Sequence, residues 1–363
     1  MRIAVLGGGN GSHAAAADLA LAGHEVVLWR RERTALATVL ASGGIELLDG
    51  AGLRHVSFGA TDDLADAVRG AALIVAPVPA FAQGDLARRL APLLRDGQVV
   101  FLPPGTWGTL LMDQAVRAAG NQSEVAYAES GTLPWLCRLH HTETGTRIAI
   151  RVRATRLPTG VHPARLAPAA LPVLTAAFPA IERLADGLDG ALMNAGPIIH
   201  PPLITMNAGP LQHFERWDIH NEGTQPAIRR VTDVLDAERI RLREALGYGA
   251  PHFPLADHYR TDGDEWMYGR RGHTQLVDSA DWREHIDLAT HRYMREDVAC
   301  GLALLASLGA WAGVPMPVAS GLLAVAGAAI GEDFTRTGRT VAAMGVAGMD
   351  RAALRRLLAE GAR

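Results

Sequence analysis

The sequence contains no lysine: all 35 basic residues among its 363 positions are arginine. A GC-rich genome, which favours arginine codons, is a sufficient origin for this bias. Whatever its origin, the absence excludes a Schiff-base lysine, a pyridoxal phosphate attachment and the lysine of a Walker phosphate-binding loop. Any catalytic acid or base must therefore be histidine, aspartate, glutamate, tyrosine or cysteine.

Cysteine, net charge and long apolar runs are also scarce. The two cysteines, Cys137 and Cys300, lie far apart and form neither a disulfide framework nor a zinc-binding pattern, which suits a reducing cytoplasm. A formal net charge of −3 gives no reason to expect nucleic acid or an anionic membrane as a partner. The opening MRIAVLGGG lacks the apolar length of a signal peptide, and segment 318–330 is too short to span a bilayer. We therefore expect a cytoplasmic protein without a metal site.

Apolar strand patterns alternate with helical patterns through the first half of the chain. This alternation predicts an α/β Rossmann fold with a doubly wound parallel sheet. The predicted strands are 2–6, 25–29, 72–78, 98–102, 125–129 and 147–152, and the predicted helices include 11–22, 81–94 and 109–118.

Long helical patterns dominate from about residue 189 onward, at 226–246, 281–311 and 318–330. A chain of 363 residues is also longer than most single domains. We therefore predict a dinucleotide-binding Rossmann domain over 1–187 and an all-helical substrate and catalytic domain over 188–363.

The strongest local motif is a glycine-rich turn between the first strand and the first helix. Gly7 permits the tight turn, Gly9 lets the backbone approach a pyrophosphate, and Ser12 takes the third, small position of the dinucleotide fingerprint. With Asn10 and Gly11 they form the predicted phosphate-binding turn at a helix N-terminus. The alternative is a glycine turn that binds no ligand.

The end of the second strand should contact the adenosine ribose of the coenzyme. It carries Arg30 and Arg31 where NAD-dependent proteins have an acidic residue, and guanidinium groups match a phosphate, so the sequence favours NADP(H) over NAD. Alternatively, these arginines form a solvated turn and Glu32 serves the ribose. Four further residues lie at the strand ends where coenzyme binds, two of them after the apolar run 72–76, and we predict coenzyme contacts for them: Pro77, Pro79, Pro104 and Gly105.

A set of motifs spread along the chain occurs together. It comprises the opening from Gly7 to His13, Pro104-Gly105-Thr106, the segment from Asn194 to His200-Pro201, Arg292-Tyr293 with Glu296-Asp297-Val298, Gly301-Leu302, Val314-Pro315-Met316-Pro317, Asp333-Phe334 and Gly338-Arg339-Thr340. Through these motifs the chain resembles the opine dehydrogenase family, also called octopine/nopaline dehydrogenases, over nearly its whole length. The second half would then be a 6-phosphogluconate dehydrogenase-like C-terminal domain.

The resemblance implies an activity and a set of site residues. The expected reaction joins a 2-keto acid to the amine of an amino acid and reduces the imine with NADP or NAD as coenzyme. His200 and Asp297 would form the catalytic dyad, Arg292 would bind the keto-acid carboxylate, and Asn194 would contact the substrate. Physical chemistry supports these roles, because histidine titrates near neutrality, a carboxylate orients it, and arginine matches a carboxylate.

Each residue also has a structural alternative. His200 could cap a helix before its two prolines, Asp297 could be a surface or helix-cap charge, and Arg292 could pair with Glu296 at helical spacing. Two other functions stay open: reduction of a single ketone or imine, and coenzyme sensing without catalysis. Related single-substrate reductases rely on a catalytic lysine, which this chain lacks. Apolar C-terminal helices around 301–330 could form a homodimer interface or an internal core.

Overall fold

The computed structural model describes residues 1–143, 145–278 and 281–362. The chain divides into two compact units. The first comprises residues 1–78, 82–191 and 356–363, and the second comprises residues 79–81 and 192–355.

An eight-stranded sheet forms the centre of the first unit. Its order is β12-β11-β8-β7-β6-β1-β2-β5, and every neighbouring pair is parallel except β11 and β8. The strands are β1 (Arg2–Leu6), β2 (Glu25–Trp29), β5 (Gly59–Thr61), β6 (Leu73–Val75), β7 (Val99–Leu102), β8 (Ala126–Ser130), β11 (Leu157–His162) and β12 (Ile181–Arg183). The predicted doubly wound sheet is confirmed, and its strand order reverses between β1 and β6, where ligands bind in such folds.

A second sheet of order β4-β3-β10-β9 corrects one prediction. Its strands are β3 (Gly44–Asp49), β4 (Gly52–Ser57), β9 (Trp135–Thr142) and β10 (Gly145–Arg153). The segment 147–152 was predicted as part of the main sheet but lies in β10, which pairs with β9 and β3. Alternation of apolar residues predicts a strand but does not identify the strand with which it pairs. The sequence therefore did not distinguish the second sheet from the main sheet.

Alanine-rich packing explains the first strand–helix unit. Helix α1 (Asn10–Leu21) presents four consecutive alanines that are fully buried, Ala14 to Ala17. Small side chains let the helix axis approach the strands closely, while β1 is buried from Ile3 to Leu6 because both faces of a parallel sheet are covered. The remaining helices of this unit are α2 (Ala37–Ser42), α3 (Leu64–Val68), α4 (Gln83–Leu90), α5 (Gly108–Ala118), α6 (Ala167–Ala177) and α7 (Gly187–Leu192), which ends one residue into the second unit.

The second unit is helical, as predicted, except for one short antiparallel pair, β13 (Trp217–Asp218) with β14 (Arg283–Glu284). Its helices are α8 (Gly196–Met206), α9 (Ala208–His213), α10 (Pro226–Leu246), α11 (Gly272–Asp278), a π-helix (Tyr293–Leu302), α12 (Ala303–Ala312), α13 (Pro317–Ile330), α14 (Phe334–Thr337) and α15 (Arg351–Glu360), whose second half belongs to the first unit. Within the described residues, no helix combines the length and apolarity needed to cross a membrane.

The predicted helix over 281–311 is wrong in its first third. Residues 283–284 form β14, and helical structure begins only at Tyr293, as a π-helix that continues into α12. Asp287 accepts hydrogen bonds from the N–H groups of Ala289 and Thr290, which fixes a turn ahead of the helix. Such local side-chain bonds compete with helix formation, and the periodicity of apolar residues does not register them.

Candidate active site

The glycine-rich turn has the geometry that a dinucleotide phosphate requires. Gly7 has a φ of +126°, a conformation that only glycine adopts readily, and its N–H donates to the carbonyl of Trp29. The Asn10 side chain accepts a bond from the Leu139 N–H, which ties the start of α1 to β9. The Nδ1 atom of His13 lies 2.9 Å from the Gly9 carbonyl oxygen, so this side chain contacts the backbone of the turn that begins its own helix.

A buried hydroxyl at this turn has no partner. Ser12 is fully buried, and its Oγ makes no hydrogen bond with any described residue. An unsatisfied buried hydroxyl is unfavourable unless a ligand completes it. Together with the free N–H groups at the start of α1, this donor fits an anionic group at the turn.

A cavity of about 320 Å³ adjoins the turn within the first unit. Of the predicted coenzyme residues, Gly7, Arg30 and Arg31 line it, together with Glu32, Asp85 and Arg89. The Arg30 guanidinium donates to the Ala35 carbonyl, and Arg31 forms an ion pair with Asp85 at 2.9 Å. The two arginines therefore contact their neighbours and also line the cavity beside the turn.

Four other predicted coenzyme residues are not among the residues that line this cavity. Pro77 packs against the start of α1, 3.0 Å from where a side chain at Gly11 would lie. Pro79 is grouped with the second unit. Pro104 and Gly105 form the turn after β7, and the Gly105 carbonyl accepts a bond from the Gln83 side chain. Coenzyme contacts of these residues stay predictions.

Glu129 is a functional candidate that sequence reasoning missed. This carboxylate is fully buried and accepts bonds from the N–H groups of Trp107 and Thr109. It holds a strained turn, because Thr106 and Trp107 both have positive φ, 56° and 60°. A lone acidic residue in the otherwise uncharged strand AYAES was the available signal.

The second unit brings the predicted dyad together. His200 Nδ1 lies 2.7 Å from Asp297 Oδ2, although the residues are 97 positions apart. The imidazole is 13% exposed and the carboxylate 5%. The other ring nitrogen, Nε2, makes no hydrogen bond to a described residue, so it is available to a substrate. His200 lies inside α8 and Asp297 is buried, which overturns the alternatives of a helix-capping histidine and a surface aspartate.

Two close approaches between α8 and the π-helix create this geometry. A Cβ at Gly196 would lie 2.2 Å from Asp297 Oδ1, and a Cβ at Gly301 would lie 2.2 Å from the Pro197 ring. The sequence thus places glycine at each point of contact. π-Helical segments are rare and often occur at functional sites.

Two aromatic side chains complete the surroundings of His200, and neither was predicted. The Tyr293 ring stacks on the His200 ring with centroids 3.8 Å apart and planes 14° apart. The Tyr293 hydroxyl lies 3.1 Å from His220 Nε2, and the His220 ring meets the His200 ring edge-on at 5.6 Å. Tyr293 and Asp297 are four residues apart on the π-helix, so one helix supplies both the stacking ring and the carboxylate.

The predicted substrate residues differ in their exposure. The Arg292 side chain is 54% exposed, and its Nε lies 3.7 Å from Glu296 Oε2, so the alternative ion pair is present on an exposed side chain. Asn194 is buried and accepts a bond from the Gly196 N–H through its side-chain oxygen. In that position it fixes the start of α8; a contact with substrate stays a prediction.

Burial controls the protonation of the dyad. Burial lowers the pKa of His200 well below its usual value, and the charge of Arg292 lowers it further. Burial raises the pKa of Asp297 to about 7, against the opposing effect of Arg292. Since both charged forms are disfavoured, we treat the pair as one site that takes up or releases a single proton near neutrality.

The described residues contain no cluster of three metal-ligating side chains.

We expect Gly196→Ala to lower kcat on the order of 10²-fold, because the added methyl group displaces the Asp297 carboxylate from His200. Gly209→Ala is the matched control, since a Cβ there meets no atom of the described part of the chain within 4 Å. Turnover and thermal unfolding of both variants are the measurements. Equal activity of the two variants would contradict the role of this contact.

The comparisons with known proteins cover both units. Residues 184–330 match a family described as the alpha-helical domain of NAD/NADP octopine/nopaline dehydrogenases, and residues 2–102 match the N-terminus of NAD-dependent glycerol-3-phosphate dehydrogenases. The chain is 28% identical over 361 residues to an opine dehydrogenase of Arthrobacter sp. (strain 1C), covering 97% of each chain.

Two solved structures share the fold. An octopine dehydrogenase solved with NADH and L-arginine has a TM-score of 0.70 at 19% identity, with 100% of this chain and 99% of that chain covered. A yersinopine dehydrogenase with bound NADP⁺ has a TM-score of 0.68 at 18% identity, with 99% and 97% covered. The likeness extends over both halves of the chain.

Proposed function

This chain belongs to the opine dehydrogenase family, and from that membership we propose that it catalyses the NAD(P)H-dependent reductive condensation of a 2-keto acid with the amine of an amino acid, and the reverse oxidation. The observation that carries the proposal is the buried 2.7 Å contact between His200 Nδ1 and Asp297 Oδ2. An imidazole fixed in this way, with its second nitrogen free, is suited to transfer protons to and from a carbonyl oxygen.

The chain's own residues supply binding and proton transfer. Arg292 binds the keto-acid carboxylate through its guanidinium. His200 donates a proton from Nε2 to the oxygen that leaves as water when amine and keto acid condense, and Asp297 stabilises the imidazolium that precedes this transfer. Tyr293 keeps the imidazole plane fixed by stacking. The bound dinucleotide supplies the hydride that reduces the imine.

The first unit provides the coenzyme site in this proposal. Gly7, Gly9, Asn10, Gly11 and Ser12 hold the pyrophosphate at the start of α1, which the unpartnered Ser12 hydroxyl supports. We propose NADPH as the preferred coenzyme, because Arg30, Arg31 and Arg89 line the cavity beside the turn and arginine binds phosphate well.

The proposal extends to location and assembly. The two cysteines are free and buried, which suits the reducing cytoplasm that the sequence predicts. A 2-keto acid and an amino acid or amine are the expected partners. The homodimer and the division of labour between residues 1–187 and 188–363 stay predictions.

A coenzyme-oxidation screen tests the function. Pyruvate, glyoxylate and 2-oxoglutarate are each offered with a panel of amino acids and amines, and NADPH or NADH oxidation is followed at 340 nm. We expect oxidation only when keto acid and amine are both present, and faster with NADPH. Oxidation with the keto compound alone would indicate a single-substrate reductase, and binding without consumption would indicate a sensor. Equal or faster turnover with NADH would overturn the coenzyme preference.

A further inference from the structure

The contact between the His200 and Tyr293 rings differs from the other ring contacts at the dyad. Neutral aromatic rings favour offset or edge-on arrangements with centroids about 4.5–7 Å apart, because their faces are negative and their edges positive. The His220 ring follows this rule, since it meets Tyr293 at 6.0 Å and 89° and His200 at 5.6 Å and 76°. The His200 and Tyr293 rings overlap almost directly, at 3.8 Å and 14°. Such overlap is favourable when one of the two rings carries a positive charge.

The Tyr293 hydroxyl holds the ring in this position. It lies 3.1 Å from His220 Nε2, and both side chains are buried. His220 is itself fixed by the turn after β13, in which Asp218 Oδ1 accepts bonds from the N–H groups of His220 and Asn221. The Tyr293 ring is therefore anchored at its hydroxyl as well as at the π-helix.

The dyad needs support when His200 takes up a proton. Burial lowers the pKa of His200, because the imidazolium loses its hydration there. The Asp297 carboxylate, 2.7 Å from Nδ1, offsets part of this loss. The face of an aromatic ring attracts a cation without adding another buried charge, and the Tyr293 face lies directly against the imidazole.

Several charged groups also act on His200. The charge of Arg292 disfavours the imidazolium, and that of Glu284 on β14 favours it. The Arg292 guanidinium carbon lies 5.9 Å from the Tyr293 ring centroid, near the limit for a cation–π contact, so His200 is the closer cation. Of the helices that pack against α8, α13 carries no charged residue. Further titratable or charged groups on or beside the other packed helices are Arg295, Glu296 and Cys300 of the π-helix, His291 ahead of it, His213 of α9, and Arg239 and Arg243 of α10.

We propose that the Tyr293 ring stabilises the protonated form of His200, and that His220 supports it by accepting a hydrogen bond from the Tyr293 hydroxyl. The inference rests on the proposed function, in which His200 carries the proton that leaves with the carbonyl oxygen. Donation from the hydroxyl makes the phenol ring more electron-rich, which strengthens its attraction for the imidazolium. Tyr293 is thus a positioning residue that acts through His200 and extends the pH range in which the dyad donates a proton.

The test compares Tyr293→Leu, which lacks the ring, with Tyr293→Phe, which keeps the ring and lacks only the hydroxyl. The condensation is measured as kcat/KM for the keto acid at about pH 5.5 and about pH 8, on either side of the pKa of about 7 to which burial raises Asp297. We expect Tyr293→Leu to lower the ratio of the value at the higher pH to that at the lower pH by about tenfold, because loss of a cation–π contact shifts the protonation equilibrium by about one pH unit. Tyr293→Phe should lower the ratio by about threefold or less.

The ratio counts only active enzyme, and ionisation of the substrates affects every variant alike. A purely structural role would reduce kcat/KM by one factor at both pH values, and an unchanged ratio in Tyr293→Leu would overturn the proposal. Equal shifts in the two variants would assign the effect to the hydroxyl instead of the ring face and would also overturn it.

An NMR titration of protein with isotope-labelled histidine needs no turnover. The His200 imidazole signal is identified by its loss in His200→Ala, and its titration midpoint is compared between the wild-type protein and Tyr293→Leu. A midpoint about one pH unit lower in Tyr293→Leu supports the contact even if the proposed reaction fails. An unchanged midpoint, or a wild-type imidazole that does not titrate, refutes it.

Discussion

Replacing His200 with alanine is expected to lower kcat for the condensation by about 10²- to 10⁴-fold, the range that a positioned general acid contributes. The loss follows because His200 Nε2 is the proton donor in the proposed reaction, and the chain has no lysine that could take over this role. Dinucleotide binding should persist, since the glycine-rich turn and its cavity consist of residues in the first unit. Steady-state turnover and a coenzyme titration measure the two quantities separately.

His213→Ala is the matched control for this substitution. His213 is exposed and lies in the same helical unit, and its one ring contact among the described residues is with Phe214. Its loss should leave kcat within about twofold, in line with the small effects of surface substitutions. If His200→Ala retained turnover comparable to His213→Ala, the catalytic role of His200 would be refuted and a coenzyme sensor would become the better hypothesis.

The activity should depend on pH through the dyad, with opposite signs in the two directions. Burial raises the pKa of Asp297 to about 7, so the dyad holds its extra proton below that pH and releases it above. Reductive condensation needs the proton and should decline as the pH rises through about 7, whereas oxidation of the product needs the base and should increase. The charges acting on the pair are Arg292, which favours release of the proton, and Glu284, which favours its retention on His200.

Asp297→Asn should abolish this ionisation and lower kcat by about 10²- to 10⁴-fold, because an amide neither holds the proton nor stabilises the imidazolium. The measurement is the pH profile of kcat/KM in both directions. Glu296→Gln is the control, since burial also raises the pKa of Glu296 to about 7. A pH dependence that disappears in Glu296→Gln and survives in Asp297→Asn would show that Glu296 is the titrating group, and it would contradict this mechanism.

The double variant His200→Ala with Asp297→Asn should lose little more activity than either single variant, because the effects of residues that act as a unit are not additive.

The candidate site shows where sequence reasoning reached its limit. The pairing of His200 with Asp297 was predicted from a family resemblance. The two residues are 97 positions apart, and neither sequence segment indicates that their side chains are in contact. Tyr293 and His220 escaped prediction for the same reason: a tyrosine in an apolar helix pattern indicates core packing, and its stacking on an imidazole depends on how two helices cross. Glu129 was missed because the burial of a carboxylate against the backbone of a distant turn is a property of the folded chain.

The sequence by itself determined the features that act over a few residues. The absence of lysine limited the chemistry, and the turn from Gly7 to Ser12 defined the first strand–helix unit, because backbone conformation and helix N-termini are set by neighbouring residues. Only the tertiary structure decided that residues 147–152 belong to a second sheet, that Gly196 admits the Asp297 carboxylate, and that burial brings the pKa of that carboxylate to about 7. Strand partners, close approaches and desolvation all depend on segments that are distant along the chain, and local periodicity carries no information about them.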